Sequence, residues 1–236
     1  MTLEQIRARL GDAAILLDFD GTLAPIVEDP TAARPLPDTA SVLSDLARRA
    51  LVVAIVTGRP ESFVREVLDA PAVEVIGLYG LGTSPPLDPT VAERAGELAA
   101  SIQGAMLEDK GVSVAVHVRR TADPEASATA LRQPLRALAE EHGLVMFEGK
   151  LVIELAPPGA RKGGAVRGVL ERVRPRAALY AGDDAEDAAA FEAIADAGVP
   201  SCRVAVRTSG TPERLVEVAD LDVVGPEGVL DLLRSL

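Results

Sequence analysis

Short apolar runs alternate with helical patterns along this chain. The runs cover residues 13–17, 51–56, 73–78, 177–181 and 203–206. Between the first two, Pro37-Asp38-Thr39 supplies a helix start, and apolar residues then recur at helical spacing. Strands that alternate with helices are typical of parallel sheets covered by helices on both faces. The pattern therefore predicts an α/β fold.

The middle of the chain interrupts this alternation. A proline-rich stretch at residues 84–89 cannot continue a central strand or a helix. The elements predicted beyond it are a helix over 91–108, a strand over 113–119, a helix over 124–141, and strands over 144–147 and 151–155. Gly149 indicates that the last two strands form a hairpin. A second linker follows at 156–159, so we expect a smaller α/β domain over 85–156, inserted into a larger one over 1–84 and 157–236.

The composition and net charge of the chain limit the kinds of molecule that it is expected to bind. The 236 residues carry a formal net charge of −12, which disfavours nucleic acid and anionic membranes and favours a small-molecule substrate. The single Cys202 excludes an internal disulfide framework and a multi-cysteine zinc site. The charged start of the chain does not resemble a secretory signal, and the apolar run over 50–56 is too short to span a bilayer. We expect a cytoplasmic protein that is a monomer, with an oligomer left open.

Two carboxylates lie directly after the first apolar run. In a strand, Asp18 and Asp20 point to the same side, and Gly21 lets the chain turn away. Two such like charges are unfavourable unless a cation lies between them or one is protonated. The alternative is an ordinary strand-to-turn junction, because Asp and Gly are common turn residues.

Polar residues also follow the other strands of the predicted sheet, where ligands of open α/β sheets bind. Thr57-Gly58-Arg59 comes after the second run, and an acidic stretch over 182–187 follows the fourth. Lys162 begins a helix after the second linker. Alternatives are a helix-capping turn at Thr57, a surface lysine, and an acidic patch or helix N-terminus at 182–187. The joint placement of these elements at one edge favours a functional site.

These residue types suit phosphoryl transfer. Asp18 can attack phosphorus and form an aspartyl-phosphate, and Asp20 can protonate the leaving oxygen and then take a proton from water. Lys162, the Thr57 hydroxyl and backbone amides near Gly21 and Gly58 can stabilise the phosphoryl oxygens.

The acidic side chains also suggest a metal site. Mg²⁺ prefers oxygen ligands and binds through one or two carboxylates plus a substrate phosphate. The candidate ligands are Asp18, Asp20 through its backbone carbonyl, Asp183, Asp184 and Asp187. The sequence leaves open whether Asp184 or Asp187 touches the metal directly.

The four elements resemble the haloacid dehalogenase superfamily of phosphohydrolases. Its motifs are Asp-x-Asp after the first strand, a Ser or Thr after the second, a Lys, and an acidic Gly-Asp-Asp-x-x-Asp. All four occur here in order, at Asp18 and Asp20, Thr57, Lys162, and residues 182–187. The resemblance implies a Rossmann-like core with an inserted α/β cap between the second and third motifs.

Within that superfamily the chain is similar to the trehalose-phosphatase family over nearly its whole length. The specific marks are residues 17–30, 55–59, 114–119 and 149–154. The resemblance implies that Arg59 belongs to the substrate-binding site and that Arg119, Lys150 and Glu154 hold the sugar hydroxyls. Lys150 and Glu154 have the same parity in a strand, although a surface charge pattern explains this equally well.

The expected function is a Mg²⁺-dependent hydrolysis of trehalose 6-phosphate. Two departures from the family pattern leave the sugar open: Ala188 follows Asp187, and Gly80-Leu81-Gly82 replaces a segment that usually carries His. The alternatives are a phosphatase for another sugar phosphate, of the sucrose-phosphate or mannosylglycerate-phosphate type, and a catalytically silent sugar-phosphate-binding regulator.

Overall fold

The chain folds into two compact units. The computed structural model describes residues 3–83, 85–149, 151–158 and 161–236, with the backbone alone at 82 and 83. One unit comprises Met1–Gly80 together with Arg161–Leu236, and the other is Leu81–Ala160.

Strands and helices alternate in the larger unit, whereas the strands of the smaller unit occur in consecutive pairs after each helix. The strands are β1 Ala13–Leu17, β2 Val52–Val56, β3 Glu74–Ile76, β4 Met106–Asp109, β5 Val114–His117, β6 Val145–Gly149, β7 Val152–Ala156, β8 Ala177–Gly182, β9 Ser201–Arg207 and β10 Leu221–Val224. The α-helices are α1 Leu3–Arg7, α2 Thr39–Ala47, α3 Glu61–Val67, α4 Pro89–Ala100, α5 Pro124–Glu141, α6 Lys162–Val173, α7 Asp187–Asp196, α8 Glu213–Val218 and α9 Gly225–Arg234.

The larger unit contains a parallel sheet in the order β10-β9-β8-β1-β2-β3. Its central strands β1 and β2 are apolar throughout because both of their faces are covered. Ile15 and Leu17 pack into a core on one face, whereas Ala14 and Leu16 pack into a second core on the other. This arrangement explains why the strands read as continuous apolar runs instead of alternating ones.

The smaller unit has an antiparallel sheet in the order β4-β5-β7-β6. Strands β6 and β7 form the predicted hairpin. Val114, Val116, Ile153 and Leu155 lie on one face of the sheet, in a core that α4 and α5 also supply. The parallel core and the separate antiparallel sheet confirm the predicted fold class.

The helix predicted over residues 91–108 is wrong at its C-terminal end. Helix α4 ends at Ala100, and β4 occupies Met106–Asp109. Gly104 lies between them with a φ of 91°, a left-handed conformation that glycine adopts without steric cost. This residue lies in the turn that takes the chain from α4 into β4.

In the described part of the chain, no helix combines the length and apolar character needed to span a membrane.

Candidate active site

Parallel strands bring the predicted polar residues of the larger unit to one edge of its sheet. Asp18, Thr57 and Asp183 each follow the last residue of a strand, namely β1, β2 and β8. Those strands are neighbours, with Leu17 opposite both Ile55 and Ala181. All three side chains are buried. The expectation that polar residues directly after neighbouring parallel strands share one edge of the sheet, here called the strand-end rule, thus holds for the positions of these three residues.

Lys162, the first residue of α6, is buried among acidic side chains. Its Nζ lies 2.9 Å from Oδ1 of Asp18 and 2.8 Å from Oδ1 of Asp187. A longer contact of 3.4 Å joins it to Oδ1 of Asp184. Because a buried charge is stable only when it is paired, Lys162 and its carboxylates depend on one another.

Asp187 is fully buried, and both of its carboxylate oxygens accept hydrogen bonds. Lys162 Nζ and Tyr180 Oη both donate to Oδ1, the latter at 2.7 Å, and the backbone N–H of Asp184 donates to Oδ2 at 2.8 Å. Asp187 thus holds the lysine in place. The sequence analysis missed Tyr180, whose one distinguishing feature is that it is a tyrosine within an otherwise aliphatic strand.

Asp183 is approached by two elements. Thr208 Oγ1 donates to Oδ2 of Asp183 at 3.2 Å. Gly21 lies so close that a Cβ atom there would overlap the Asp183 carboxylate, and its φ is 77°. Thr208, which the sequence analysis missed, directly follows β9, so the strand-end rule could have found it.

Burial dominates the electrostatics of the cluster. It raises the pKa of Asp18 well above its usual range, and although Lys162 lowers that pKa, Asp187 raises it further. Burial, Asp187 and Asp184 raise the pKa of Asp183 to about 8. Burial and Asp184 raise the pKa of Asp187 to about 6. Burial alone would lower the pKa of Lys162, but Asp18, Asp184 and Asp187 raise it well above its usual value.

This cluster fits a divalent cation. Asp18, Asp183 and Asp187 each offer a carboxylate oxygen, and the three oxygens lie within 4.8 Å of one another. They share one lysine, so negative charge is in excess when all three are ionised, and a cation would relieve the repulsion that raises their pKa values. The donor set consists of oxygen alone, which suits Mg²⁺.

Two predicted metal ligands lie outside this group of three. Asp184 has a half-exposed side chain, and its Oδ1 accepts the backbone N–H groups of Glu186 and Asp187 at the start of α7. The carboxylate of Asp20 is held by Arg59 through Nε and Nη2. The proposed metal contact of Asp20 through its backbone carbonyl stays a prediction.

The turn formed by Thr57-Gly58-Arg59 follows directly after β2. Thr57 Oγ1 accepts the backbone N–H of Arg59 at 3.2 Å, a contact within the turn and not a helix cap, because the N-cap of α3 is Pro60. A Cβ atom on Gly58 would lie 2.5 Å from Tyr79 Oη, so glycine permits the close approach of that ring. The guanidinium of Arg59 contacts Asp20, and its predicted contact with substrate stays a prediction.

The residues predicted to hold the sugar belong to the smaller unit. Glu154 is buried, and its Oε1 accepts hydrogen bonds from Lys110 Nζ at 3.0 Å and Ser113 Oγ at 2.6 Å. Arg119 lies just after β5 and is partly buried. Lys150 lies outside the described residues. Their roles toward a sugar stay predictions.

Comparisons with known proteins place the chain in a family. The trehalose-phosphatase family model matches residues 16–217. Trehalose-phosphate phosphatase of Mycobacterium avium (strain 104) is 32% identical over 222 residues, which cover 85% of this chain and 56% of that protein. The chain thus spans about half the length of the curated relatives it matches.

Solved structures agree with this placement. A trehalose-6-phosphate phosphatase related protein has 27% sequence identity and a TM-score of 0.76, over 94% of this chain and 96% of that chain. The C-terminal domain of C. albicans trehalose-6-phosphate phosphatase has 22% identity and a TM-score of 0.82, over 98% and 93% of the two chains, and supports the fold alone. The chain belongs to the trehalose-phosphatase family.

Proposed function

We propose that this chain is a phosphatase that hydrolyses a sugar phosphate monoester, with trehalose 6-phosphate as its substrate. The observation that carries the proposal is the buried ion pair of Asp18 with Lys162, 2.9 Å apart, within the Asp18, Asp183 and Asp187 cluster. A carboxylate held beside a lysine and a cation site has the surroundings that an aspartyl nucleophile requires.

In the first step, an oxygen of Asp18 attacks phosphorus and the bond from phosphorus to the sugar oxygen breaks. Asp20 donates a proton to that departing oxygen, and the phosphoryl group remains on Asp18 as an aspartyl-phosphate. Splitting the displacement in this way replaces one difficult reaction with two easier ones.

In the second step, water attacks phosphorus and gives a proton to Asp20. The bond from phosphorus to the Asp18 oxygen breaks, which releases inorganic phosphate and restores the Asp18 carboxylate, while Asp20 is again in its protonated form. Lys162 stabilises charge on the phosphoryl oxygens, while the Thr57 hydroxyl and backbone amides near Gly21 and Gly58 donate hydrogen bonds to them. Asp187 keeps Lys162 in position for both steps.

Mg²⁺ is the proposed cofactor. Asp18 and Asp183 would hold it, with the Asp20 backbone carbonyl as a further ligand. Asp187 is less available because Lys162, Tyr180 and the Asp184 backbone already donate to it. When bound, the ion neutralises charge on the transferring phosphoryl group.

The sugar assignment rests on family membership. We propose that the inserted domain, residues 85–156, is a specificity cap on a hydrolase core formed by 1–84 and 157–236. Arg119, Lys150 and Glu154 are its proposed contacts to the sugar hydroxyls. Lys110 and Ser113 both donate hydrogen bonds to Oε1 of Glu154. A carboxylate has further lone pairs, so Glu154 can also accept a hydrogen bond from a sugar hydroxyl.

Phosphate release from a panel of sugar phosphates tests the proposal. The assay contains Mg²⁺, and Asp18→Asn serves as the control because asparagine keeps the size of the side chain but is a poor nucleophile. We expect trehalose 6-phosphate to be hydrolysed fastest, with a loss of at least about 1,000-fold in the Asp18→Asn variant.

The outcomes distinguish an error in the proposed reaction from an error in the proposed substrate. If no sugar phosphate is hydrolysed faster by the wild-type protein than by Asp18→Asn, the phosphatase proposal is wrong and a sugar-phosphate-binding regulator is favoured. If trehalose 6-phosphate is inert while another sugar phosphate is hydrolysed, the substrate assignment alone is wrong.

A further inference from the structure

Arg59 binds Asp20 through two hydrogen bonds. Its Nε lies 2.6 Å from Oδ2 of Asp20, and its Nη2 lies 2.7 Å from Oδ1. Such a paired contact fixes the plane of a carboxylate, which a single hydrogen bond does not. Asp20 is otherwise open to water, with 39% of its side chain exposed.

The guanidinium of Arg59 is itself immobilised. Nη1 donates to the backbone carbonyl of Pro30 at 2.7 Å, and the group lies 4.2 Å from the centre of the Phe63 ring. Phe63 packs edge-on against Phe19, which is fully buried. In the sequence, Phe19 lies between Asp18 and Asp20. The aromatic contact and the carbonyl therefore orient Arg59 independently of any ligand.

We propose that Arg59 is a positioning residue that aligns the Asp20 carboxylate for proton transfer. The inference rests on the proposed phosphatase function. Each Asp20 oxygen keeps a lone pair after accepting from Arg59, so the carboxylate can still hold and return a proton. The guanidinium edge formed by Nε and Nη2, which suits a phosphate, is occupied by Asp20 instead.

The proposal predicts a dependence on the leaving group. A sugar alkoxide needs a proton from Asp20 as it departs, whereas p-nitrophenolate is stable enough to leave without one. Loss of Arg59 should therefore slow the hydrolysis of the sugar ester and spare that of p-nitrophenyl phosphate. A residue that binds the phosphoryl group would affect both esters equally.

The test compares kcat/KM for Arg59→Gln on p-nitrophenyl phosphate and on the sugar phosphate that the wild-type protein hydrolyses fastest. This parameter reports the steps up to departure of the leaving group, so the later attack of water does not obscure the comparison. We expect a loss of at least about 10-fold on the sugar phosphate and less than about 3-fold on the aryl ester.

Two further variants sharpen the test. Arg59→Lys keeps the charge but lacks the two-pronged geometry, so it should not restore the rate on the sugar ester. In an Asp20→Asn background, Arg59→Gln should cause little additional loss, because the two residues act as one unit.

A matched control exists elsewhere in the larger unit. Arg203 makes the same two-point contact with Asp220, with distances of 2.9 Å and 3.0 Å, but lies in the middle of β9, away from the polar ends of the strands. Arg203→Gln should leave both kcat/KM values unchanged. Thermal unfolding identifies any variant that fails to fold; if Arg59→Gln does, the same comparison is made with Arg59→Lys.

Equal losses on both esters, with weaker inhibition by inorganic phosphate, would show that Arg59 is a phosphate ligand and overturn the inference. Full activity in Arg59→Lys would show that charge alone matters and would also overturn it. In either case the phosphatase proposal survives. If the wild-type protein hydrolyses neither ester, the phosphatase proposal fails and the role of Arg59 fails with it.

Discussion

At the scale of single residues, the buried aspartates around Lys162 differ in the hydrogen-bond donors that already contact their oxygens. Asp187 has a donor on each oxygen, Asp18 pairs with Lys162, and Asp183 accepts a hydrogen bond from Thr208. Under the proposed function, these local partners would give neighbouring aspartates separate tasks. Asp187 orients Lys162, whereas Asp18 and Asp183 remain suited to chemistry and to a cation.

Asp183 should make the metal-free protein lose stability as pH rises. Its pKa is raised to about 8 in the folded state, against about 3.9 in the unfolded chain. Between these values the folded state binds a proton that the unfolded state lacks, so the free energy of unfolding falls with increasing pH. Asp183→Asn removes this titration, and its decline between pH 5 and pH 8 should be smaller.

Chemical denaturation in the presence of EDTA at several pH values measures this difference. Asp18 and Asp187 titrate in both proteins, so the difference in slope reports the loss of the Asp183 titration together with the effect of its charge on the pKa of Asp18. Equal slopes for the wild-type protein and Asp183→Asn would contradict the raised pKa.

Mg²⁺ should stabilise the wild-type protein and leave Asp183→Asn almost unaffected. A ligand that binds the folded state alone, at about 100 times its Kd, adds about 2.7 kcal/mol to the free energy of unfolding. Thermal unfolding with MgCl₂ and with EDTA measures the effect without any substrate. An equal rise in Tm for both proteins would place the metal elsewhere.

At the scale of elements, close packing between helices sets the position of Lys162. Gly163, the next residue in α6, faces α7: a Cβ atom there would lie 2.6 Å from the carbonyl oxygen of Ala189. Gly168, in the same helix, is exposed and has no atom within 4 Å of such a Cβ. The two glycines therefore offer a matched pair of substitutions.

Gly163→Ala should push α6 away from α7, which costs about 1–3 kcal/mol of stability. It should also lower kcat, because Lys162 moves with the helix. Gly168→Ala should stabilise the protein by about 0.5–1 kcal/mol and leave kcat unchanged, since alanine is the better helix former. Urea unfolding and steady-state kinetics measure both. Equal effects of the two substitutions would exclude close packing as the cause.

The sequence predicted some helices and strands over their full length and missed others. Strand β1 was predicted over its full length because its residues are apolar on both faces, and α5 was predicted from Pro124 to Glu141 by its long amphipathic pattern. Strand β4 was not, because Met106-Leu107-Glu108 also continues a helical pattern. Leu78 and Tyr79 have positive φ angles, which the sequence does not predict because such angles are uncommon for residues other than glycine.

At the scale of the whole molecule, the sequence predicted the order of the motifs along the chain but not the contacts between their side chains. The strand-end rule located Asp18, Thr57 and Asp183, because parallel strands share a carboxyl edge. It did not reveal the contact of Arg59 with Asp20, which depends on how the turn after β2 lies beside the one after β1. Tyr180 was also missed, since a side chain within a strand carries no strand-end signal.

The proposed cap should control affinity for the sugar without affecting the chemistry at phosphorus. We expect Lys150→Ala to raise KM for trehalose 6-phosphate by about 10-fold, because a lost hydrogen bond to a substrate hydroxyl costs about 1–2 kcal/mol. Hydrolysis of p-nitrophenyl phosphate should change little. Glu148→Ala, which removes an exposed partner of Arg132, is the control and should leave both esters unaffected.

Steady-state kinetics on the two esters would settle this role. An equal loss on p-nitrophenyl phosphate and trehalose 6-phosphate would show that Lys150 acts on the phosphoryl group or on folding instead of on the sugar.

Trapping the covalent intermediate tests the central claim most directly. In Asp20→Asn, p-nitrophenolate still departs but water is no longer activated, so the phosphoryl group should accumulate on the enzyme. After acid quenching, mass spectrometry should find it on the peptide that contains Asp18, and the Asp18→Asn, Asp20→Asn double variant should carry none. A wild-type protein that releases phosphate while the phosphoryl group appears on another residue, or on none, would contradict the account.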